Sequence, residues 1–235
     1  MTQQSIVKGG TQQKLGSAGF IIGAILFGIS GLLMPHAAKP TSDLQEMLKP
    51  LGEHQFLTYF SSLSMSLGFW AVSIGAAGVY RSITTSDVSA SRAAWVRFGF
   101  YLILIGTALW TVSLSLDMVA ANAVADWLVA PIGGKEAAWS TVVAVSTFGK
   151  RILPMTWIVY WLALALLNTG MIKSDVYSQW LGWVGLIVSI PMIALGIVQV
   201  FTPRSITLTL IFSTLMLLTT LWDLATGIWI ARKAW

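Results

Sequence analysis

Asp117 and Asp223 lie within or beside long apolar segments, where an ionisable side chain is costly and marks either an ion pair or a functional site. Arg97 precedes Asp117 by twenty residues, about 30 Å of helix, which predicts that Asp117 lies near the outer membrane surface. Asp223 precedes Arg232 by nine residues, about 13 Å, which predicts a position in the inner half of its helix. This separation argues against an acid–base centre built from both carboxylates.

Structural ion pairs are the simpler explanation for these two carboxylates, since Lys and Arg are frequent at the ends of the apolar segments. The expected partners are Lys150 or Arg151 for the first and Arg81 or Arg97 for the second. A transport role for Asp223 is the alternative.

Asn168 and Gln199 are the other strongly polar residues within apolar segments. Interhelical hydrogen bonding usually explains such side chains. A transporter would instead need a polar cavity that joins them to Asp223, beside a helix interrupted at Pro191.

Neither histidine, His36 nor His54, lies in an apolar segment, so this chain supplies no intramembrane imidazole to ligate a haem or chlorophyll. Glu53 could complete a metal site with both histidines, but the adjacent Glu53-His54 pair lacks the spacing that aligns ligands on one helical face. A metal is therefore disfavoured, and no cofactor is evident. Cysteine and the familiar hydrolase, phosphate-loop and metalloprotease motifs are also absent from the sequence, so no catalytic residue is assigned and an enzyme is the less favoured class.

The composition indicates a bilayer as the main solvent. The 235-residue chain is 56% hydrophobic and 10% charged, against roughly 25% charged residues in an ordinary soluble domain. The net charge of +5 comes from basic residues that are scattered along the chain rather than gathered in one stripe, which argues against nucleic acid as a partner.

Six apolar segments are long enough to cross about 30 Å of hydrocarbon as helices. We therefore predict an all-α, polytopic membrane helix bundle that forms one transmembrane domain. Its spans are residues 15–34, 57–80, 98–116, 152–172, 176–202 and 205–231. The third span could continue through an alanine-rich stretch to Val129.

The distribution of charge predicts that both termini are cytoplasmic. The membrane is expected to be a bacterial inner membrane. Arg81, Arg92 and Arg97 flank one short inner loop, whereas acidic residues balance the cations of the outer loops. The tryptophans near span ends agree with this arrangement. Trp70, Trp110 and Trp222 are expected to lie deeper, where an indole N–H needs an acceptor.

Small residues predict where the helices touch, because association in lipid depends on close backbone approach. The first span offers Gly19, Gly23 and Gly28, and the second offers Gly75 and Gly78. These faces could serve packing within the chain or contact with another subunit.

Two short amphipathic helices are predicted in the outer loops. The first follows the capping residues Thr41-Ser42-Asp43 and is expected to end at Pro50. The second is expected over Lys135 to Phe148.

These features favour a non-catalytic accessory or structural subunit of a multi-subunit membrane complex. Its expected partners are membrane lipids, some of them bound, and other integral membrane subunits. The alternative is a small transporter or channel-like protein that uses Asp223 in a polar cavity.

Overall fold

A computed structural model describes residues 10–34, 43–85, 90–202 and 205–234, and these residues form a bundle of α-helices. Six of the helices are long and apolar enough to cross a membrane, which confirms the predicted class. The helices are α1 (Thr11–Leu33), α2 (Leu44–Glu53), α3 (Gln55–Thr84), α4 (Ala90–Val129), α5 (Lys135–Ile172), α6 (Gln179–Phe201) and α7 (Ile206–Ala234).

Glycines bring the backbones of α1 and α3 into direct contact. A Cβ atom added to Gly19 would lie 2.5 Å from the carbonyl oxygen of Ala71, and one added to Gly16 would lie 3.0 Å from the Cα atom of Gly78. The ring of Phe20 fills the space at Gly75, 2.7 Å from the site of a Cβ atom. Any side chain at these positions would force the two helices apart.

Gly23 also lies on this interface, where a Cβ atom would come within 2.6 Å of the Val72 side chain. Gly28 does not pack within the described part of the chain: a Cβ atom there would meet nothing within 4 Å, because Gly28 lies on the exposed side of α1. Its contact with another subunit stays a prediction. Gly28 follows Gly19 by nine residues, which at about 100° per residue puts it on the opposite side of the helix.

The helices α4 and α5 form the longest antiparallel pair, with 40 and 38 residues. They are therefore about 60 Å and 57 Å long, twice the hydrocarbon thickness of about 30 Å. A Cβ atom on Gly106 would lie 2.9 Å from the Tyr160 Cα atom, and one on Gly99 would lie 2.6 Å from the Leu167 nitrogen. Close backbone contact thus holds the membrane part of this pair together.

One end of the bundle, here called the terminal face, carries the start of α1 and the end of α7. Gln13, Arg81, Tyr177 and Lys233 line a common cleft there, so the two helix ends are neighbours. The terminal face also carries the start of α4 and the end of α5, where the Lys173 ammonium lies 4.8 Å from the ring centre of Trp95. The extra length of α4 and α5 is therefore at the opposite end.

At that opposite end α4 and α5 extend together with α2 into a second, smaller core. We call this part the projection; it comprises α2, the end of α4 from Met118, the 3-10 turn Ile132–Gly134 and the start of α5 up to Gly149. Leu48 and Leu51 of α2 pack there on Ala121, Val124 and Val142. The helix that contains the third span therefore continues to Val129, as the alanine-rich stretch allowed.

The second predicted loop helix is wrong as a separate element. Residues 135–148 are the beginning of α5, which continues through Pro154 to Ile172. Their apolar side packs on α4 and α2 within the projection, where Val142 is fully buried. The amphipathic pattern describes one side of a long helix, the side that packs in the projection.

The first predicted loop helix is present as α2. The Asp43 carboxylate accepts a hydrogen bond of 2.8 Å from the Gln45 backbone N–H and so caps its start. Pro50 does not end the helix; it lies inside, and the carbonyl of Pro50 accepts a bond from the N–H of His54. A proline near a helix end removes only its own N–H bond, so the last turn forms around it.

Candidate functional site

Asp223 lies on the side of α7 that faces the other helices and is 1% exposed. Two contacts of α7 fix its position. On one side the Trp222 indole N–H donates to the Leu181 carbonyl at 2.8 Å, and on the other the Ser17 hydroxyl donates to the Gly227 carbonyl at 2.9 Å. These bonds hold α7 against α6 and α1, so the Asp223 side chain is directed into the bundle rather than toward lipid.

The interior around Asp223 is mostly aromatic. Its carboxyl group is close enough to Tyr160 to interact with it electrostatically. Tyr160 in turn packs edge-on against Phe69, with ring centres 4.9 Å apart, and Phe20 packs edge-on against Trp222 at 5.9 Å. Rings from α1, α3, α5 and α7 therefore exclude water from the carboxyl group.

Both carboxylate oxygens of Asp223 lack a hydrogen-bond partner among the residues that the structure describes. The hydroxyl of Thr226, one turn further along α7, is also buried and unpartnered. The ion pair expected with Arg81 or Arg97 does not form in this part of the chain. The reason is depth, since Arg81 lies at the terminal face, where it lines the cleft.

The depth of Asp223 follows from its distance to Lys233, which lines the cleft at the terminal face. Ten residues separate the two, about 15 Å of helix, which is half of the hydrocarbon thickness of about 30 Å. Asp223 is thus near the middle of the membrane-spanning part of the bundle. An ionised carboxylate at this depth without a partner costs several kcal/mol or more.

Asn168 lies between α5 and α6, where glycine makes room for it. Its amide nitrogen donates to the Leu164 carbonyl at 2.9 Å, whereas its amide oxygen has no partner in the described chain. A Cβ atom on Gly185 would overlap the Asn168 amide. Gly185 is therefore the residue that lets this polar group fit between the helices.

Gln199 is far from Asn168. It follows Gly185 by fourteen residues, about 21 Å along α6. Its amide nitrogen is buried and has no hydrogen-bond partner among the described residues. Because α6 is continuous through Pro191, these amides do not share a cavity at a broken helix.

A recess beside Asp223 is closed. Leu164, Gly185, Ser189, Thr219 and Trp222 are among the residues that line it, and it contains no volume that a water molecule could occupy. The Ser189 hydroxyl donates to the carbonyl of Gly185 in its own helix, at 2.7 Å. The polar side chains nearest to Asp223 thus form no open route to it in this conformation.

Asp117 lies at the level where the projection begins. A Cβ atom on Gly149 would be 3.9 Å from the Leu116 Cβ atom, so Asp117 and Lys150 are at the same height on neighbouring helices. This arrangement is consistent with the expected pairing, which stays a prediction. Asp117 is half-buried, in contrast to the fully buried Asp223.

The histidines give no assembled metal site in the described chain. His36 lies outside the described residues. His54 is exposed at the junction of α2 and α3, and the Glu53 carboxylate pairs with the Lys49 ammonium at 3.4 Å.

Two of the three tryptophans expected to lie deep have an acceptor for their indole N–H. Trp70 donates to the Thr111 hydroxyl at 3.1 Å, and Trp222 donates to Leu181. Trp110 does not, although it is buried, and its ring stacks on Phe69 instead. Stacking supplies part of the stabilisation that a hydrogen bond would otherwise provide.

Tyr160 is the residue of this site that the sequence did not reveal. It lies in an apolar segment with Trp157 and Trp161, where one aromatic residue looks like another. Only the approach of α7 to α5 distinguishes it.

Comparisons with protein families, curated proteins and solved structures find no match for this chain.

Proposed function

We propose that this chain is a non-catalytic subunit of a multi-subunit membrane complex and that the projection contacts another integral membrane subunit. The observation that carries the proposal is the apolar tip of the projection. Val129 is 83% exposed and Ile132 is 96% exposed at the turn between α4 and α5.

With Asp117 at the outer membrane surface, as its spacing from Arg97 predicts, the tip lies beyond the reach of lipid. Val129 follows Asp117 by twelve residues, about 18 Å of helix. Headgroups add only about 5–8 Å on each side of the hydrocarbon. Exposed apolar side chains that stand in water at a helical turn are typical of contact sites between proteins.

The rigidity of the projection also supports a contact role. The ring centres of Trp127 on α4 and Trp139 on α5 are 5.0 Å apart, and Leu51 of α2 belongs to the same packed cluster. A preformed surface loses little conformational entropy on binding. The partner is expected to present an apolar surface of its own beyond the bilayer.

Purification in a mild detergent from the native membrane tests this proposal. The double variant V129S/I132S should lose the partner chain, whereas the control T141S/A144S, at exposed positions on the side of the projection, should retain it. Mass measured by light scattering and subunit composition measured by mass spectrometry give the result. A wild-type chain that runs only as a monomer or only with copies of itself would refute the proposal.

A small transporter that uses Asp223 is the second candidate. What favours it is a fully buried carboxyl group without a partner among the described residues, near the middle of the membrane. Such groups serve in proton and cation pathways. The closed recess beside it means that transport would require the helices to move.

Flux into reconstituted liposomes tests this second function. D223N should abolish a proton or cation flux, and D117N, at the half-buried carboxylate of α4, should not. Equal flux through both variants would exclude Asp223 from transport.

A further inference from the structure

The terminal face contains an open cleft of about 860 Å³. Its walls are the start of α1, the end of α3, the end of α7 and the connection between α5 and α6. The lining residues that matter for binding are Arg81, Ser82, Asp175, Tyr177, Trp229 and Lys233.

Two positively charged side chains line this cleft. Arg81 and Lys233 are exposed, and neither forms an ion pair within the part of the chain that the structure describes. The Lys233 ammonium lies 5.8 Å from the ring centre of Trp229, so its side chain lies along the cleft wall. An ammonium and a guanidinium that line one cleft suit an anion with several acceptor oxygens.

Asp175 is the one acidic residue among the described residues that line the cleft, and it has an interaction of its own within the chain. With Arg81 and Lys233 the lining keeps a net positive charge. The floor of the cleft is polar and neutral. The Tyr177 hydroxyl and the Ser82 hydroxyl form a hydrogen bond of 2.7 Å. Burial raises the pKa of Tyr177 to about 12, although its bond to Ser82 acts in the opposite direction. Tyr177 therefore keeps its proton at neutral pH and adds no negative charge to repel an anion.

The position of the cleft points to the membrane surface. Trp229 and Tyr177 pack with ring centres 5.4 Å apart at the end of the membrane-spanning helices. Indole and phenol rings prefer this depth, which is where lipid phosphates lie. Basic residues at this level attract anionic lipids.

We propose that the terminal-face cleft binds a phosphate anion, with Arg81 and Lys233 as its cationic contacts, and that an anionic phospholipid headgroup supplies the phosphate. This site lies about 15 Å from Asp223 along α7. The proposal depends on neither function proposed above.

Lipid binding to the purified chain in nanodiscs tests the proposal. Phosphatidylglycerol should bind the wild type about tenfold more tightly than phosphatidylcholine, and R81Q/K233Q should remove most of this preference. Native mass spectrometry measures the lipid bound to each protein. Loss of the preference together with an unchanged melting temperature supports the site.

A matched control removes the same charge elsewhere. Lys135 lies 5.8 Å from the ring centre of Trp127, the same geometry as Lys233 over Trp229, and Arg151 is exposed on α5. The double variant R151Q/K135Q should therefore keep the full preference. An equal loss in both double variants would show general charge attraction and would overturn the site.

Inorganic phosphate in detergent distinguishes the source of the anion. If it binds the wild type and phosphatidylglycerol shows no preference, the phosphate site stands but the lipid is excluded as its source. If neither ligand binds better to the wild type than to R81Q/K233Q, the proposal is wrong.

Discussion

The membrane core and the core of the projection are built on opposite rules. In the projection, apolar residues such as Leu48 and Leu51 are buried while polar residues of the same helix are exposed. In the membrane part, Ser61 and Thr107 are fully buried while Leu63 is 52% and Ile187 is 64% exposed. Water separates polar from apolar side chains, and lipid does not.

Hydroxyl pairs and glycines link the membrane helices in addition to their buried aromatic and aliphatic side chains. Ser73 bonds to Thr107 at 2.8 Å, linking α3 to α4, and Ser113 bonds to Thr156 at 3.1 Å, linking α4 to α5. Each such bond contributes about 0.6 kcal/mol on average in membrane proteins. Contact surfaces in this part of the chain therefore combine small residues with the large side chains that pack on them.

The largest expected effect tests close packing in the membrane core. G19V should lower the free energy of unfolding by about 3 kcal/mol or more, because its side chain would collide with the α3 backbone. G28V, at the exposed glycine of the same helix, should change it by less than about 0.5 kcal/mol. Unfolding in mixed detergent micelles measures both. Equal effects would contradict the assigned α1–α3 interface.

The next largest effect tests whether the core of the projection unfolds independently of the membrane core. L51A should weaken the docking of α2 on the projection by about 2–3 kcal/mol, since it leaves a cavity against α4. Hydrogen exchange should then increase across α2 while exchange in α3 and α5 stays slow. Faster exchange throughout the bundle would show that the projection and the membrane part unfold as one unit.

Replacing Asp223 should stabilise the protein, whereas replacing one member of a buried ion pair would destabilise it. D223L should raise the free energy of unfolding by about 1–2 kcal/mol, because it removes a buried carboxyl group that has no partner among the described residues. The same micelle unfolding assay measures it, with D223N as the conservative control. Marked destabilisation by D223L would mean that the carboxyl group has a partner in the native protein.

The smallest expected effect lies at the surface of the projection. K49Q breaks the exposed pair between Lys49 and Glu53 and should change stability by less than about 0.5 kcal/mol. Urea unfolding at low and high salt, read from exchange in α2, checks this. A larger, salt-dependent loss would show that charge, rather than Leu48 and Leu51, holds α2 in place.

The sequence predicted some parts of the candidate site better than others. It identified Asp223 as unusual because a carboxylate in an apolar segment stands out without any structure. It assigned the wrong partners, because Arg81 lies at the terminal face whereas Asp223 lies about 15 Å deeper along α7. It did not indicate Tyr160, and it did not bring Ser82 next to Tyr177, ninety-five residues further along the chain.

The sequence by itself determined the number of membrane-spanning helices and the presence and cap of α2, because hydropathy and capping are local properties. It determined that Asp223 lies in a helix apolar enough to span a membrane, but not that its carboxyl group has no partner among the described residues. Only the tertiary structure decided this, along with the cleft at the terminal face. In a lipid-facing bundle both sides of a helix are apolar, so the side that meets a neighbour is set by long-range packing.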